Sequence, residues 1–409
     1  MDTIVITGIG MINGVGNNAE ESFDAMLKGI SGVDYITYFD ASNDSVKIAS
    51  EVKNFNPKLV MKAKDIKKSD RFVHLGMHVL KEALRDAKLD TSKMDTDRIG
   101  VCAATGIGGL PIIQENVEKN VLGKKISPFF IPSTITNMLA GYASIYFNLK
   151  GPNLSSTTAC TAGLHAITQA AKTIMTGGAD IMIAVGSEST ISEMGVRGFS
   201  VMKALSTRND DPKTASRPFD KDRDGFVLGE GAAAIILETL ESANKRGVKI
   251  YAKISGFGES ADASHITAPS EEGPVRALKQ ALVMANNPRI DYINAHGTST
   301  PLGDKNEVNV FKAVFESNVP PISSIKGSTG HCLGATGVIE AVVSIMALDK
   351  NIMPPTLNQI TNDPEFDLDF IANKPRKKVL KNVLSTNYGF GGTNGAIIFS
   401  KVLNDDIIR

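Results

Sequence analysis

Two segments in opposite halves of the chain are apolar almost all the way round a helix, and they restrict the fold more than any other feature. The first follows Cys160 in "TTACTAGLHAITQAAKTIM" and carries Lys172 as its only formal charge up to Thr176. The second, "GATGVIEAVVSIMAL" from Gly334, carries only Glu340. A helix without a polar face has to be buried on every side. Strand-like runs accompany both: "TIVITG" from Thr3, "RIGVCAAT" from Arg98, "ADIMIAVG" from Ala179 and "RIDYINAHG" from Arg289. Most are continuously apolar, as strands are when helices cover both faces of their sheet. An amphipathic helix is expected from Asp70 to Leu89. A second echo pairs "DGFVLGEGAAAIILE" from Asp224 with "NYGFGGTNGAIIFSK" from Asn387, each a glycine-rich bend running into an apolar strand. The expectation is a layered α/β protein built from a duplicated half. The seam falls near residue 250, dividing 1–250 from 251–409.

Bulk properties exclude several function classes. The 409 residues include 44 basic and 44 acidic ones, so no global field argues for nucleic acid, and an anionic partner has to be met by a local patch. The start, "MDTIVITGIG", lacks the basic region and long apolar stretch of a signal peptide. No apolar run approaches the roughly 20 residues that cross a bilayer. The three cysteines, Cys102, Cys160 and Cys332, form no CxxC spacing, which argues against a disulfide framework and a zinc site. A soluble cytoplasmic protein with reduced thiols is expected. One long polar stretch, Leu205 to Arg223, holds an Arg-Pro-Phe cluster and reads as an ordered excursion.

The candidates for chemistry each have a plainer alternative. Glycines 8, 10, 14 and 16 invite a dinucleotide-binding reading, but the third comes one residue late for the fingerprint, so tight packing at a strand-to-loop bend is expected. Cys160 stands before a buried helix, whose free N–H groups and positive dipole end favour a thiolate. Free cysteines are equally at home as inert core residues, and on this stretch alone both readings stand. His296 in "NAHGTSTPLGD" and His331 in "SSIKGSTGHCLGATG" follow strand ends, where open α/β folds place their sites. Lys326 adds a cation to the second motif. The histidines are not spaced i, i+4, and no H-E-x-x-H motif occurs, so no metal is expected. A Cys–His hydrolase needs one base only, which leaves a second histidine and the lysine unexplained.

At this point four ordered motifs, "TTACTAG", "NAHGTSTPLGD", "SIKGSTGH" and "NYGFGGTNG", resemble the β-ketoacyl-[acyl-carrier-protein] synthases of the elongating type I/II branch. "KISPFFIPSTITNM" and "ALSTRNDDPKTASRPFDKDRDGFVLGEG" are most similar to synthase II. The resemblance implies the thiolase-like α-β-α-β-α sandwich, a homodimer, and no resident cofactor, since phosphopantetheine arrives on the acyl-carrier protein. It makes Cys160 the acylated nucleophile and His296 with His331 the pair that binds the malonyl thioester carbonyl during decarboxylation. Lys326 would support that pair, with Glu340 and Asp304 as its acidic partners. Phe390 would be the gating aromatic, its backbone N–H completing an oxyanion hole with that of Cys160. Thr298 and Thr300 would hold the pantetheine arm, and the runs around Ile107 and Phe199 would line an acyl tunnel. Lys64, Lys67, Lys68, Lys124, Lys125 and Lys203 would form the docking surface for the acidic carrier protein.

The chemistry asks for these residue types. Acyl transfer needs a sulfur that both attacks and leaves. Loss of carbon dioxide from a malonyl thioester leaves enolate charge on oxygen, which two N–H donors stabilise without a metal. Removing one such donor costs about 3 kcal/mol of transition-state stabilisation. The reaction must also exclude water. Two positions depart from the family pattern: Ile325 stands where Thr is frequent, and Tyr388 where Phe is frequent, the latter placing a hydroxyl near the gate. A polyketide-type condensing enzyme shares these motifs, whereas a non-catalytic chain-length partner lacks the cysteine that Cys160 supplies.

Overall fold

The continuously apolar runs form strands whose alternate side chains feed different cores. The N-terminal half supplies β1 (Ile4–Asn13), β2 (Ile99–Ala104), β3 (Asn153–Ser156), β4 (Ile181–Glu188) and β5 (Gly231–Thr239). The C-terminal half supplies β6 (Ala252–Ala261), β7 (Tyr292–Asn294), β8 (Ile322–Ser323), β9 (Asn382–Gly389) and β10 (Thr393–Ser400). Along β4, Ile181, Ile183 and Val185 enter one apolar cluster, and Met182 and Ala184 enter another. Period two with both faces buried is what makes such a run read as unbroken. The structure, a computed structural model, describes residues 3–403.

The strands hydrogen-bond in the order β8-β7-β9-β10-β6-β1-β5-β4-β2-β3. Counted outward from the centre, the halves repeat one another: β1-β5-β4-β2-β3 on one side, β6-β10-β9-β7-β8 on the other. The senses match as well. β2 is parallel to β3 and β4, and β7 is parallel to β8 and β9. β5 is antiparallel to β1 and β4, as β10 is to β6 and β9. The halves join where Val5 and Ile6 pair with Lys253 and Ala252.

Five helices complete the layers: α1 (Arg71–Asp86), α2 (Ala162–Met175), α3 (Glu272–Met284), α4 (Pro301–Phe315) and α5 (Thr336–Lys350). The two apolar helices read from the sequence are α2 and α5. They pack on each other between the half-sheets, α5 touching β5 of one and β9 of the other. Their side chains join both sheets' inner faces in the largest core cluster. α1, capped by the Asp70 carboxylate, covers the outer face of the N-terminal half-sheet, and α3 covers that of the C-terminal one. This is the expected α-β-α-β-α sandwich.

The glycine series near the start serves packing, as expected, but partly inside a strand rather than at a bend. A Cβ on Gly8 or Gly10 would lie 2.4 Å from the carbonyl oxygen of Ala83 or Val79, so glycine lets α1 lie directly on β1. The Leu205–Arg223 excursion is ordered. It forms a short helical turn at Pro212–Ala215, a buried Arg217–Asp220 ion pair of 2.9 Å, and a Phe219 ring stacked on Phe370 at 4.6 Å. Among the described residues no helix is long and apolar enough to cross a membrane.

Candidate active site

Each half delivers its reactive side chains from turns at strand ends. After β3 the chain reaches Ala159, whose φ of 51° is left-handed, and enters a 3-10 turn, Ala159–Thr161, that leads into α2. Such a conformation costs about 1 kcal/mol or more for a residue with a Cβ, and it sits where Cys160 is delivered to a cavity of about 540 Å³. His331 reaches the same cavity from beyond β8, past the left-handed Gly330. It is fixed by its N–H to the Val227 carbonyl at 2.8 Å. His296 follows β7, with its N–H donating to Glu307 Oε1 at 2.9 Å.

These three side chains converge. His331 Nε2 is 3.1 Å from Cys160 Sγ, and its Nδ1 is 3.1 Å from Thr336 Oγ1. The His296 and His331 rings meet edge to face with centroids 5.3 Å apart. Phe226 stands edge-on to His331 and Phe199 edge-on to Phe226, which builds an apolar wall on one side. Phe390 lines the mouth, between the Cys160 turn and the left-handed pair Gly391–Gly392. Gly389 brings the Phe390 backbone to that turn, since a Cβ there would lie 3.0 Å from the Thr158 carbonyl.

Lys326 lies behind the cavity rather than in it. Its ammonium donates to the His296 carbonyl and to Glu340 Oε1, and both partners of this ion pair are buried. Removing one member of such a pair costs roughly 3–5 kcal/mol because a bare charge is left inside. Burial, then the Lys326 charge, holds both imidazoles well below the ordinary histidine range, so both are neutral. Burial pushes Glu340 up to about 7, against the pull of Lys326. It also pushes the Cys160 thiol up to about 12, with Lys326 opposing. The resting sulfur is therefore a thiol beside a neutral imidazole. The thiolate expected from the helix end has to form during reaction. Cys102 and Cys332 are buried away from the cavity, their thiols raised by burial.

Several expected residues fall into place, and two do not. Thr298 and Thr300 line the cavity with hydroxyls 2.9 Å apart. Phe199 and Lys203 line it too. Ile107 does not; it follows Gly106 outside this cavity, with its N–H turned to Glu188 Oε1 at 3.4 Å. Asp304 is not a hydrogen-bond partner of Lys326. From the first turn of α4 it accepts the N–H of Phe219 at 2.7 Å and of Ser299 at 3.1 Å, beside Arg223. It fastens the polar excursion to the His296 loop. Tyr388 stands edge-on to His296 with centroids 5.7 Å apart, and its hydroxyl is buried. Lys64, Lys67, Lys124 and Lys125 are exposed, and Lys68 lies 4.3 Å over the Phe129 ring, tying the two lysine segments together.

Three functional neighbours escape the sequence. Glu188 accepts the N–H of Gly334 at 3.0 Å and the hydroxyl of Thr105 at 2.9 Å. Glu307 accepts the N–H groups of His296 and Gly297. Asn387 donates to Glu340 Oε2 at 2.7 Å and lies 3.3 Å from His296 Nδ1. The one signal was position: Glu188 lies just past the apolar run that ends at Gly186, and Asn387 opens the "NYGFGGTNG" motif.

The comparisons agree with this geometry. Residues 1–243 match the family model for the β-ketoacyl synthase N-terminal domain, and residues 251–359 match that for its C-terminal domain. A protein named 3-oxoacyl-[acyl-carrier-protein] synthase 2 from Coxiella burnetii is 46% identical over 409 residues, covering 98% of this chain and 99% of the relative. A β-ketoacyl synthase structure from Burkholderia phymatum superposes with a TM-score of 0.92 at 33% identity, over 98% of this chain and all of that one. A type II PKS ketosynthase, solved in complex with its acyl-carrier protein, superposes at 0.89 with 29% identity and 98% of this chain covered.

Proposed function

The chain belongs to the β-ketoacyl synthase family and is a 3-oxoacyl-[acyl-carrier-protein] synthase type of condensing enzyme serving fatty acid elongation, and from that premise we propose how its residues divide the work. In the first half-reaction Cys160 Sγ attacks the thioester carbonyl of an acyl-carrier protein. The acyl–sulfur bond to pantetheine breaks, and the thiol proton ends on the departing sulfur. His331 Nε2–H, 3.1 Å away, donates to Sγ as negative charge builds there. A buried thiol of raised pKa needs that donor more than an exposed one does.

In the second half-reaction the malonyl thioester carbonyl takes the Nε2–H groups of His296 and His331. The bond to the carboxylate breaks, carbon dioxide leaves, and the electron pair becomes an enolate held by the two donors. Its carbon attacks acyl-Cys160, and the backbone N–H groups of Cys160 and Phe390 receive the tetrahedral oxyanion. Collapse expels the Cys160 thiolate, which takes up one proton from solvent. Neutral imidazoles suit this task, because each presents a single donor and neither adds a buried charge. Thr298 and Thr300 hold the pantetheine arm at the mouth, and Phe199 with Phe226 shapes the apolar side.

The same reading extends to partners. The exposed lysines at 64, 67, 124 and 125, with half-buried Lys68 and with Lys203 at the mouth, form a local positive field for an acidic carrier protein. β3 is the outermost strand of its half-sheet, and exposed Ile135 and Ile145 lie near it, so a second copy of the chain would cover that edge. The site of action is the cytoplasm.

The observation that carries this reading is the thiol 3.1 Å from one neutral imidazole and next to a second. Acyl-carrier proteins of several chain lengths, incubated with the protein and followed by mass spectrometry, should leave the acyl group on Cys160. An adduct on Cys102 or Cys332, or none, overturns the mechanism. The profile of lengths accepted reports the chain that the cavity favours.

A further inference from the structure

Two donors facing one oxygen require two imidazoles of the same tautomer, each with its proton on Nε2. A donor facing Nδ1 holds a neutral imidazole's proton on Nε2. For His331 that neighbour is the Thr336 hydroxyl, which can serve as donor or acceptor. For His296 it is the side-chain amide of Asn387, and an amide has a defined donor end.

Which end faces His296 follows from Glu340. Glu340 Oε1 takes the Lys326 ammonium, and Glu340 Oε2 lies 2.7 Å from Asn387 Nδ2. A carboxylate paired with a lysine accepts hydrogen bonds, so the amide must turn its NH2 toward it. The same NH2 group lies 3.3 Å from His296 Nδ1, and its second hydrogen is free to point there. The amide oxygen is left without a hydrogen-bond partner, and a Cβ on Gly337 would lie 3.1 Å from it. The ion pair behind the cavity thus orients an amide, and the amide addresses the imidazole. His296 is held twice by one chain of contacts, at its carbonyl by Lys326 and at Nδ1 by Asn387.

We propose that Asn387 is a positioning residue that sets the tautomer of His296, its amide donating to Nδ1 so that the ring's proton stays on Nε2 and faces the cavity. This deepens the reading of His296 as an enolate donor and rests on it for its catalytic meaning, though not for its structural content. An orienting group that enforces the wrong tautomer on a catalytic histidine can cost about 10⁴-fold in rate. A lost amide donor costs less, because the unheld ring still samples the working form.

Nitrogen NMR on histidine-labelled protein tests this directly. There are six histidines, and the His296 signals are those lost in His296→Ala. The wild-type ring should show Nε2 protonated and Nδ1 bare. In Asn387→Asp, which keeps the shape but replaces the donor with an acceptor, the proton should move to Nδ1. Malonyl-carrier decarboxylation should then fall at least about a hundredfold, while Cys160 acylation stays near wild type. Asn387→Leu should give a mixture of tautomers and a smaller loss. A wild-type ring protonated on Nδ1, or an Asp variant whose ring stays protonated on Nε2, overturns the proposal. If decarboxylation instead survives His296→Ala, the enolate-donor role fails, and the tautomer assignment is still judged by the spectra.

Discussion

The two halves of the molecule share a scaffold and differ in where they put their chemistry. At the strand ends, Gly106 and His296 are equivalent. Each stands two residues beyond the last pairing of its parallel strands, Ala104 with Ser156 and Asn294 with Ser323. Each donates its N–H to a buried carboxylate, Glu188 or Glu307, and the next residue donates to the other oxygen. At the helix starts, Cys160 and Gly334 are equivalent, since each follows a left-handed residue, Ala159 or Leu333, in a 3-10 turn. At both of these paired positions, one half carries a reactive side chain and the other carries glycine. The two glycines are where the halves close: a Cβ on Gly334 would lie 2.0 Å from Gly106 N. Duplication offered four positions, and only one diagonal could hold side chains, because the other is where the backbones touch.

The largest effect is therefore expected from adding a single methyl group. Gly334→Ala pushes a carbon into backbone that cannot retreat, and should cost about 3 kcal/mol in denaturant unfolding. Gly198 is the control, because a Cβ there meets nothing within 4 Å. Alanine at that position should be neutral or slightly stabilising. Equal unfolding of the two variants would break the comparison, since the glycine diagonal would then have no packing role.

Much of this was legible in advance, and what was not has a common cause. The apolar runs of β1, β2 and β4 and the unpolarised helices α2 and α5 report burial directly, because burial acts on every side chain in the element. The echo between "DGFVLGEGAAAIILE" and "NYGFGGTNGAIIFSK" correctly pairs β5 with β10. Cys160, His296, His331 and Lys326 stood out by residue type, and the cavity or the layer just behind it gathers all four. Glu188, Glu307 and Asn387 did not stand out. Glu188 and Asn387 are defined by N–H groups or ring atoms brought to them from far along the chain, and Glu307 by a loop that α4 folds back on, so no residue pattern encodes any of the three. Asp304 shows the opposite error: its motif was read well, but its partner depends on the direction in which the first turn of α4 faces.

The two carboxylate clamps offer a subtler test through pH. Burial raises Glu307 from an ordinary 4.5 to about 7, outweighing the N–H groups that it accepts. A carboxyl raised by folding binds its proton more tightly in the native state. It therefore supports stability fully below pH 4.5, and that support is lost as pH rises to about 7. Glu307→Gln should lower stability overall yet flatten this part of the denaturant-midpoint profile. Glu188 is raised in the same direction by the same cause, so Glu188→Gln should flatten it too. A slope unchanged in both variants would show that the clamps are ionised throughout, and that the N–H groups win over burial.

The smallest effect concerns the one asymmetry that the duplicated scaffold does not mirror. All six lysines proposed for docking belong to the N-terminal half, whereas both imidazoles proposed as enolate donors belong to the C-terminal half. If the N-terminal surface steers the carrier protein, Lys64→Glu, Lys67→Glu and Lys68→Glu together should raise KM for it by roughly tenfold at low salt. The turnover number should hold, because these side chains stand on the surface, away from the reacting atoms. The difference should shrink as salt is added, since exposed charges are screened beyond about 10 Å at 0.1 M. Lys279→Glu, on the exposed face of α3 in the other half, supplies the change of charge that matches Lys67→Glu alone. If it raises KM comparably, what matters is net charge rather than place, and the lysine patch is only a solvated surface. If it does not, carrier recognition and the two imidazoles have been divided between the halves, with the pantetheine arm crossing from one to the other at Lys203 and Thr300.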